Sequence, residues 1–454
     1  KDFLIDGVVE GLKSVIVFVP QIFLLFFFIV LLELSGYMAR VVFILDKIMH
    51  KFGLHGRSCI PLLMGTGCNV PAILATRSIE NKSSRMITML INPLIPCTAR
   101  IPIYVLLAGA FFPRIWFLVV AAMYLTGFVL ALLMAKVFRK FLFKKEETPY
   151  VMELPPYRMP AAGSLWKHTI KKVGEFCKKI FTWVLLGCAL IWLFSYFPRN
   201  EAATNVYHLK ADSLQQEIRL CDAQISRLHQ QRMQIYESDN NLGISFLQHN
   251  DRYISYFRSI KSAKEREISQ LNYTIDTLQK GNSYLGRLGK TIEPVMKPLG
   301  FNWKICIAVL SGLMAKEVVV SSLAIMHNVP VADEGDVTKE EESRTQQSLR
   351  EERNNTGDYA YNPPVALSLM IFILIYFPCI ATIAVIKTES KWKWALFVVF
   401  YSIALAWIAS FIVYQTAKLC VAYPFHALGI FGVALALLGF YIYRRVHKKL
   451  KIEN

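Results

Sequence analysis

The sequence lacks the signatures of the common enzyme classes. No segment fits G-x-x-x-x-G-K-[ST], so there is no phosphate-binding loop, and this chain on its own should hydrolyse no nucleotide. No nucleophile stands in a recognisable pattern with a base. The nine Cys include no C-x-x-C pair, and the nine His show no cluster at ligand spacing. Most Cys lie inside apolar runs, which argues against a disulfide framework. No basic stripe interleaves with aromatics on a soluble pattern, so the net charge of +18 does not point to nucleic acid. Charged residues are only 19% of the chain, against 54% hydrophobic, more apolar surface than a soluble domain of this size can cover. The start, Lys1-Asp2-Phe3-Leu4-Ile5-Asp6, has no signal-peptide pattern and reads as the interior of a longer protein.

What is present is a series of long apolar runs. A spanning helix needs about 20 mostly apolar residues. Clear candidates are 14–33, 86–108, 115–138, 176–197, 365–386, 394–418 and 427–443, with weaker ones at 58–76 and 303–326. Lys and Arg concentrate in 139–175 and in the tail Arg444-Arg445-Val446-His447-Lys448-Lys449, which places both in the cytoplasm. An odd number of candidates separates those two regions, so one segment is re-entrant or is not a span. The 303–326 segment, interrupted at Ser311-Gly312 and carrying Lys316-Glu317, is the suspect.

Two polar inserts interrupt the pattern. Residues 198–285 hold apolar positions at steps of three and four on both sides of the turn-rich Asp239-Asn240-Asn241-Leu242-Gly243. That spacing predicts an antiparallel helical hairpin of coiled-coil type. Residues 332–362 are acidic and Asn-rich and are expected to be a flexible loop. The chain also repeats itself. Ser35–Arg40 and Ser283–Arg287 each open an amphipathic stretch, ending near Phe52-Gly53-Leu54 and Leu299-Gly300-Phe301. A broken apolar segment follows each stretch. Later, Pro96-Cys97-Thr98-Ala99 echoes Pro378-Cys379-Ile380-Ala381. Paired, interrupted segments in two halves are a pointer to a carrier's binding site.

Candidate chemistry collects at the interruptions. Gly65-Thr66-Gly67-Cys68-Asn69-Val70-Pro71 breaks a helix where lipid offers backbone groups no partner. Freed carbonyls, the Cys68 thiol, Asn69 and nearby Met64 could line a polar site; the plain alternative is a packing kink with Cys68 as filler. Asn92-Pro93-Leu94-Ile95-Pro96-Cys97 unwinds a second helix, and Cys379 follows Pro378 in the matching place. Thiolates suit soft or borderline metals and suit Mg²⁺ or Ca²⁺ poorly. Lys316-Glu317 is a functional candidate as an intramembrane charge, or an ion pair fixing two helices. Glu33 reads as interfacial, and Arg77 and Arg100 as partners of headgroups or carboxylates. Cys59, Cys188, Cys306 and Cys420 read as packing.

These motifs resemble FeoB, the prokaryotic ferrous-iron transporter family. The resemblance runs through Val19–Phe23, Glu33–Arg40, Ile60–Arg77, Pro96–Arg100, Ala315–Val319 and Phe377–Ile380, and covers nearly all of the chain except the inserts. It implies an all-α polytopic membrane protein with two pseudo-symmetric gate-type repeats and interrupted helices; the coiled-coil hairpin read above is an insertion that the resemblance does not cover. The boundaries would be a first repeat over 1–138, a cytoplasmic basic loop over 139–175, a second repeat over 176–418 and a last helix with basic tail over 419–454. It further implies Fe²⁺ as transported substrate, crossing the bacterial inner membrane past Cys68, Cys97 and Cys379. Gly65, Gly67, Asn69, Met64, Lys316 and Glu317 would be supporting residues. GTP would act only through the family's cytoplasmic G domain, which is not seen in this sequence. The bilayer is the other partner, and a homo-oligomer is compatible with the pattern.

Two alternatives remain open at this stage. One is a carrier of nucleosides or other organic solutes, since gate-type repeats are shared with nucleoside carriers. The other is a membrane scaffold or receptor that recruits a partner through the hairpin. One strong span, 176–197, lies between the basic loop and the hairpin, which puts the hairpin in the periplasm. A single Cys introduced near Asn241 should therefore be labelled by an impermeant reagent on intact spheroplasts; labelling only after the cells are opened would place the hairpin inside.

Overall fold

The computed structural model describes residues 10–143, 157–174, 189, 193–194, 197–198, 201–237, 243–313, 316, 318–326, 339–352 and 360–422. Among these residues there are helices and no strands. The candidate span at 176–197 falls mostly outside the described residues, and the one at 427–443 entirely so. Glu317 and Met314 also lie outside them.

The first half begins with α1 (Glu10–Leu34), an apolar helix followed by α2 (Tyr37–Lys51). Residues Phe23–Leu34 of α1 meet α2 at 82°. Then come α3 (Cys59–Gly67) and α4 (Asn69–Ala75), separated by the single extended residue Cys68 and packed against each other. Next are α5 (Lys82–Ile91), a break, α6 (Ile101–Phe111) and the long α7 (Trp116–Phe141). After the polar insert the second half reads alike. It has α10 (Tyr284–Met296), the paired short helices α11 (Trp303–Ser311) and α12 (Val318–Met326), then α14 (Pro363–Ile375), a break, α15 (Ile380–Glu389) and the long α16 (Trp392–Ala422).

The correspondence extends to punctuation. α2 is followed by Gly53 at φ +75 and α10 by Gly300 at φ +82, a backbone conformation that side chains resist. Over each glycine lies a side chain from the long helix of the same half. A Cβ on Gly53 would stand 2.7 Å from Arg139 Cγ of α7, and one on Gly300 2.6 Å from Tyr414 Cε2 of α16. Buried Leu54 and Phe301 follow directly.

The two broken spans form the centre. The Lys82–Phe111 span is 61% buried and Pro363–Glu389 is 78% buried, against 17% for Trp116–Phe141 and 22% for Trp392–Leu419. The latter two present Phe117, Leu118, Leu125 and Phe400 outward, as helices facing lipid do. The central spans run antiparallel, because Glu389 at the end of the second binds Arg85 at the start of the first.

The 303–326 segment turns back on itself. Ser311 Oγ and Ser322 Oγ are 2.8 Å apart. In one continuous helix, residues so far apart in sequence would stand about 16 Å apart along the axis. Taken as re-entrant, this segment removes the odd count: an even number of candidate spans then separates the two basic regions.

The first polar insert forms antiparallel helices, as its spacing predicts, and the second departs from expectation. α8 (Glu201–Glu237) and α9 (Gly243–Asn282) pack along each other. Lys261 Nζ meets Asp222 at 2.7 Å and Lys210 meets Glu267 at 3.0 Å, so partners descend on one helix as they ascend on the other. The loop expected to be flexible over 332–362 contains α13 (Lys339–Glu351), which docks on α6. Thr345 and Leu349, four apart, are buried, and this apolar contact overrides the polar composition.

Replacing Gly300 by Ala should be costly. Left-handed strain contributes about 1–2 kcal/mol, and crowding against Tyr414 adds to it. The expected outcome is a clearly lower melting midpoint in detergent, with Gly163→Ala, where nothing lies within 4 Å, as the neutral control.

Candidate functional site

The site is built from helix breaks. Pro93 and Pro96 cannot continue a helix, and α5 gives way to a 3-10 turn over Asn92–Leu94, then to extended Ile95 and Cys97 before α6. In the second half Tyr376 and Cys379 are extended between α14 and α15. Cys68 is extended between α3 and α4. All three cysteines thus stand immediately before a helical segment, and none uses its side chain to cap that segment.

The freed carbonyls are answered by particular donors. Arg100 is fully buried and spends its guanidinium inside its own break: Nη1 donates to Ile95 O at 3.1 Å and Nη2 to Pro93 O at 3.0 Å. This corrects the expectation that Arg100 meets a headgroup or carboxylate; the prolines upstream provide its partners. Arg77 does meet a carboxylate, that of Glu389. Thr98 Oγ1 donates to Gly67 O at 2.9 Å, tying the α3–α4 tip to the α5–α6 break. Ile380 N donates to Leu313 O at 3.1 Å, tying the α11–α12 tip to the α14–α15 break in the same manner.

Asn69 is buried at the start of α4. With its amide nitrogen inward it donates to Gly65 O and to Asn92 O, each at 3.2 Å. Gly65 makes room for this: a Cβ there would collide with the Asn92 side-chain oxygen. The Asn92 carboxamide is fully buried, and neither of its polar atoms is hydrogen-bonded. A Cβ on Gly67 would stand 2.8 Å from Leu25 of α1, so both glycines are places of close approach. Met64 is buried, while Thr66 Oγ1 turns back to Leu63 O.

Cys97 and Cys379, far apart in the chain, lie within electrostatic reach of each other, and Lys316 is within reach of Cys379. Tyr104, Tyr124, Tyr376 and Arg100 share the same neighbourhood. Tyr124 donates to Cys97 O at 3.5 Å. Cys68 and Cys379 border the buried core, and α4 packs on α15, the helix that Cys379 precedes. Among the described residues, no group of three or more His, Cys, Asp or Glu is arranged to hold a metal ion. The donors here are single thiols beside carbonyls, amides and phenols. Such a set can contact a borderline cation in passing and cannot cage it.

Lys316 stands at the tip between α11 and α12, the place Cys68 holds between α3 and α4. Its side chain is buried, its Nζ lies 3.5 Å from Ile373 O and 4.1 Å from the Tyr376 ring centroid. Among the described residues, the tip of one repeat thus presents a thiol and that of the other an ammonium. Cys59 and Cys306 are buried in the core, away from breaks. Glu33 is exposed and pairs with Lys172 at 2.6 Å. Asn92, Tyr104, Tyr124 and Tyr376 were not singled out from sequence. Asn92 could have been, as a lone amide ending an apolar run before Pro93; a tyrosine in an apolar helix carries no such signal.

Comparison with known proteins follows the same lines. The family described as Gate, nucleoside recognition, matches residues 15–111 and 177–393, and the ferrous iron transport protein B C terminus matches residues 120–172. A fusion of Fe(2+) transport protein A with Fe(2+) transporter FeoB from Porphyromonas gingivalis is 44% identical over 91% of this chain and 44% of its own length. Fe(2+) transporter FeoB of Methanocaldococcus jannaschii is 36% identical over 90% of this chain and 49% of its own. That of Staphylococcus aureus strain COL is 33% identical over 93% and 50%. The chain thus spans about half the length of these curated relatives. No solved structure matches it. With both gate segments and the C-terminal region matched, and the paired helix breaks in place, the chain belongs to the FeoB family of membrane proteins.

Proposed function

We propose that this chain is the membrane permeation unit of a ferrous-iron transporter of the bacterial inner membrane. The supporting observation is that Cys97 and Cys379 stand at matching breaks of antiparallel central spans, each immediately before a helical segment. In this reading Fe²⁺ passes the two breaks, with Cys68, Cys97 and Cys379 as soft contacts. Carbonyls at Gly65 and Gly67, the Asn69 amide and Met64 support them. Lys316 and Glu317 adjust the local charge. Each neutral thiol that ligates iron gives up a proton, so uptake depends on pH and on thiol oxidation. The relatives' names supply the metal, and a cytoplasmic G domain, where the full protein carries one, couples or regulates passage.

The family description mentions nucleosides, which favours a second reading as an organic-solute carrier. Such a pocket needs acidic and amide groups to read sugar hydroxyls. Here the breaks present thiols, and the relatives are named for iron, so iron is preferred.

Replacing Cys97 or Cys379 by Ser in the full-length protein should lower initial Fe²⁺ uptake into vesicles by about tenfold, the effect of losing ~1.4 kcal/mol of contact. The triple replacement should lose more. Unchanged uptake in the singles and in the triple variant would discard the thiol path and move attention to Lys316-Glu317. A parallel assay should find no GTP turnover by the isolated chain; turnover above background would contradict the reading of the missing phosphate loop.

A further inference from the structure

Each half of the protein grips the other with arginine. At the end of α15, the Glu389 carboxylate is only 4% exposed and is held by two guanidiniums of the first half. Arg77 Nε donates to Oε2 at 2.8 Å with a second contact from its Nη2 to Oε1, and Arg85 Nη2 donates to Oε2 at 3.1 Å. At the end of α6, the carbonyls of Gly109 and Ala110 accept from Arg350 of the second half, Gly109 at 3.1 Å. The helix that carries Arg350 is anchored in turn by Glu352, 2.6 Å from Lys304 at the start of α11.

Three features set these contacts apart from ordinary surface ion pairs. They cross between halves. They hold equivalent places, the last turns of α6 and α15, which are the helices entered through Cys97 and Cys379. They also lie at opposite ends of the central spans. Arg85 is in the first turn of the Lys82–Phe111 span and Gly109 near its last turn, about 35 Å apart along a helix. A half-helix with a thiol at one end and an arginine clamp at the other can swing only when its clamp opens.

We propose that the two clamps are latches, the Glu389 latch shutting one face of the path and the Arg350 latch the other, released one at a time during passage. This rests on the transport reading above. The latches differ in strength. Glu389 joins full charges in charge-assisted pairs, its own carboxylate nearly out of water. Arg350 meets carbonyls at a helix C-terminus, where only a fractional negative charge resides. The Arg350 face is therefore the readier to open, and cargo enters there. By the loop charges, that face is the non-cytoplasmic one, so the asymmetry of the latches matches uptake.

The test needs no metal. Full-length protein in sealed membranes is treated with an impermeant thiol reagent from one side or the other, and modification of Cys97 is read by peptide mass spectrometry. Glu389→Gln keeps the shape and removes the charge. It should raise the Cys97 modification rate at least tenfold from the face bearing Arg77 and leave the other face unchanged. Arg350→Gln should do the reverse. Should Glu389→Gln fail to reach the membrane, Arg77→Lys, which keeps charge but loses the two-point fork, should give the same one-sided rise. Unchanged rates, or rates raised equally from both faces, would overturn the latches, the second outcome marking a purely structural pair. A one-sided rise together with full Fe²⁺ uptake by the triple Cys→Ser protein would keep the latches and sink the thiol path.

Discussion

Breaking a helix at membrane depth frees carbonyl groups that lipid cannot solvate, each at a cost of several kcal/mol if left alone. The centre of this protein is organised around donors for those carbonyls. Arg100 closes over Pro93 and Ile95, Thr98 reaches Gly67, Asn69 reaches Gly65 and Asn92, and Lys316 approaches Ile373. These contacts keep the chain extended at Cys97 and Cys379. With less support the segments would relax toward helix or unravel, and the thiols would lose their placement. Proline starts the break before Cys97, but buried donors make it durable.

The two halves share a scaffold and divide the chemistry. Left-handed glycines, overlying side chains from the long spans, paired short helices and broken central spans recur in order. The tips do not recur: one offers Cys68 and Asn69, the other Lys316. Under the transport reading proposed above, a fixed positive charge beside the path raises the energy of an unaccompanied divalent ion. The thiols and phenols around it supply compensating electron density.

Much of this was legible in the chain, because helix breaks and amphipathic stretches are local patterns. Gly65–Pro71, Pro93–Cys97 and Pro378–Cys379 each announce an interruption within a few residues. The repeat could be read from Gly53 and Gly300 in matched contexts. What escaped depends on folding. Arg77 and Glu389 are over three hundred residues apart, and nothing local in either names the other. Arg100 looks like a residue bound for a headgroup until its own carbonyls are seen to surround it. α13 was hidden by its charges, since among its described residues only Thr345 and Leu349 are buried. The fate of 303–326 was visible only as an odd count, and Ser311 against Ser322 settles it.

The long hairpin of α8 and α9 is tied to the body close to its root. Tyr284 N donates to Phe197 O at 2.8 Å, Lys290 Nζ donates to Gly281 O at 2.9 Å, and α9 touches both α10 and α12. Beyond that root it extends as a rod of about 55 Å, nearly twice the hydrocarbon thickness of a bilayer. A rod rooted in this way is a lever arm for any tilt of its root. A tilt of only five degrees at α10 sweeps its far end through about 5 Å. A tilt too small to notice among the central helices would therefore become a displacement as large as a side chain at the far end of the rod.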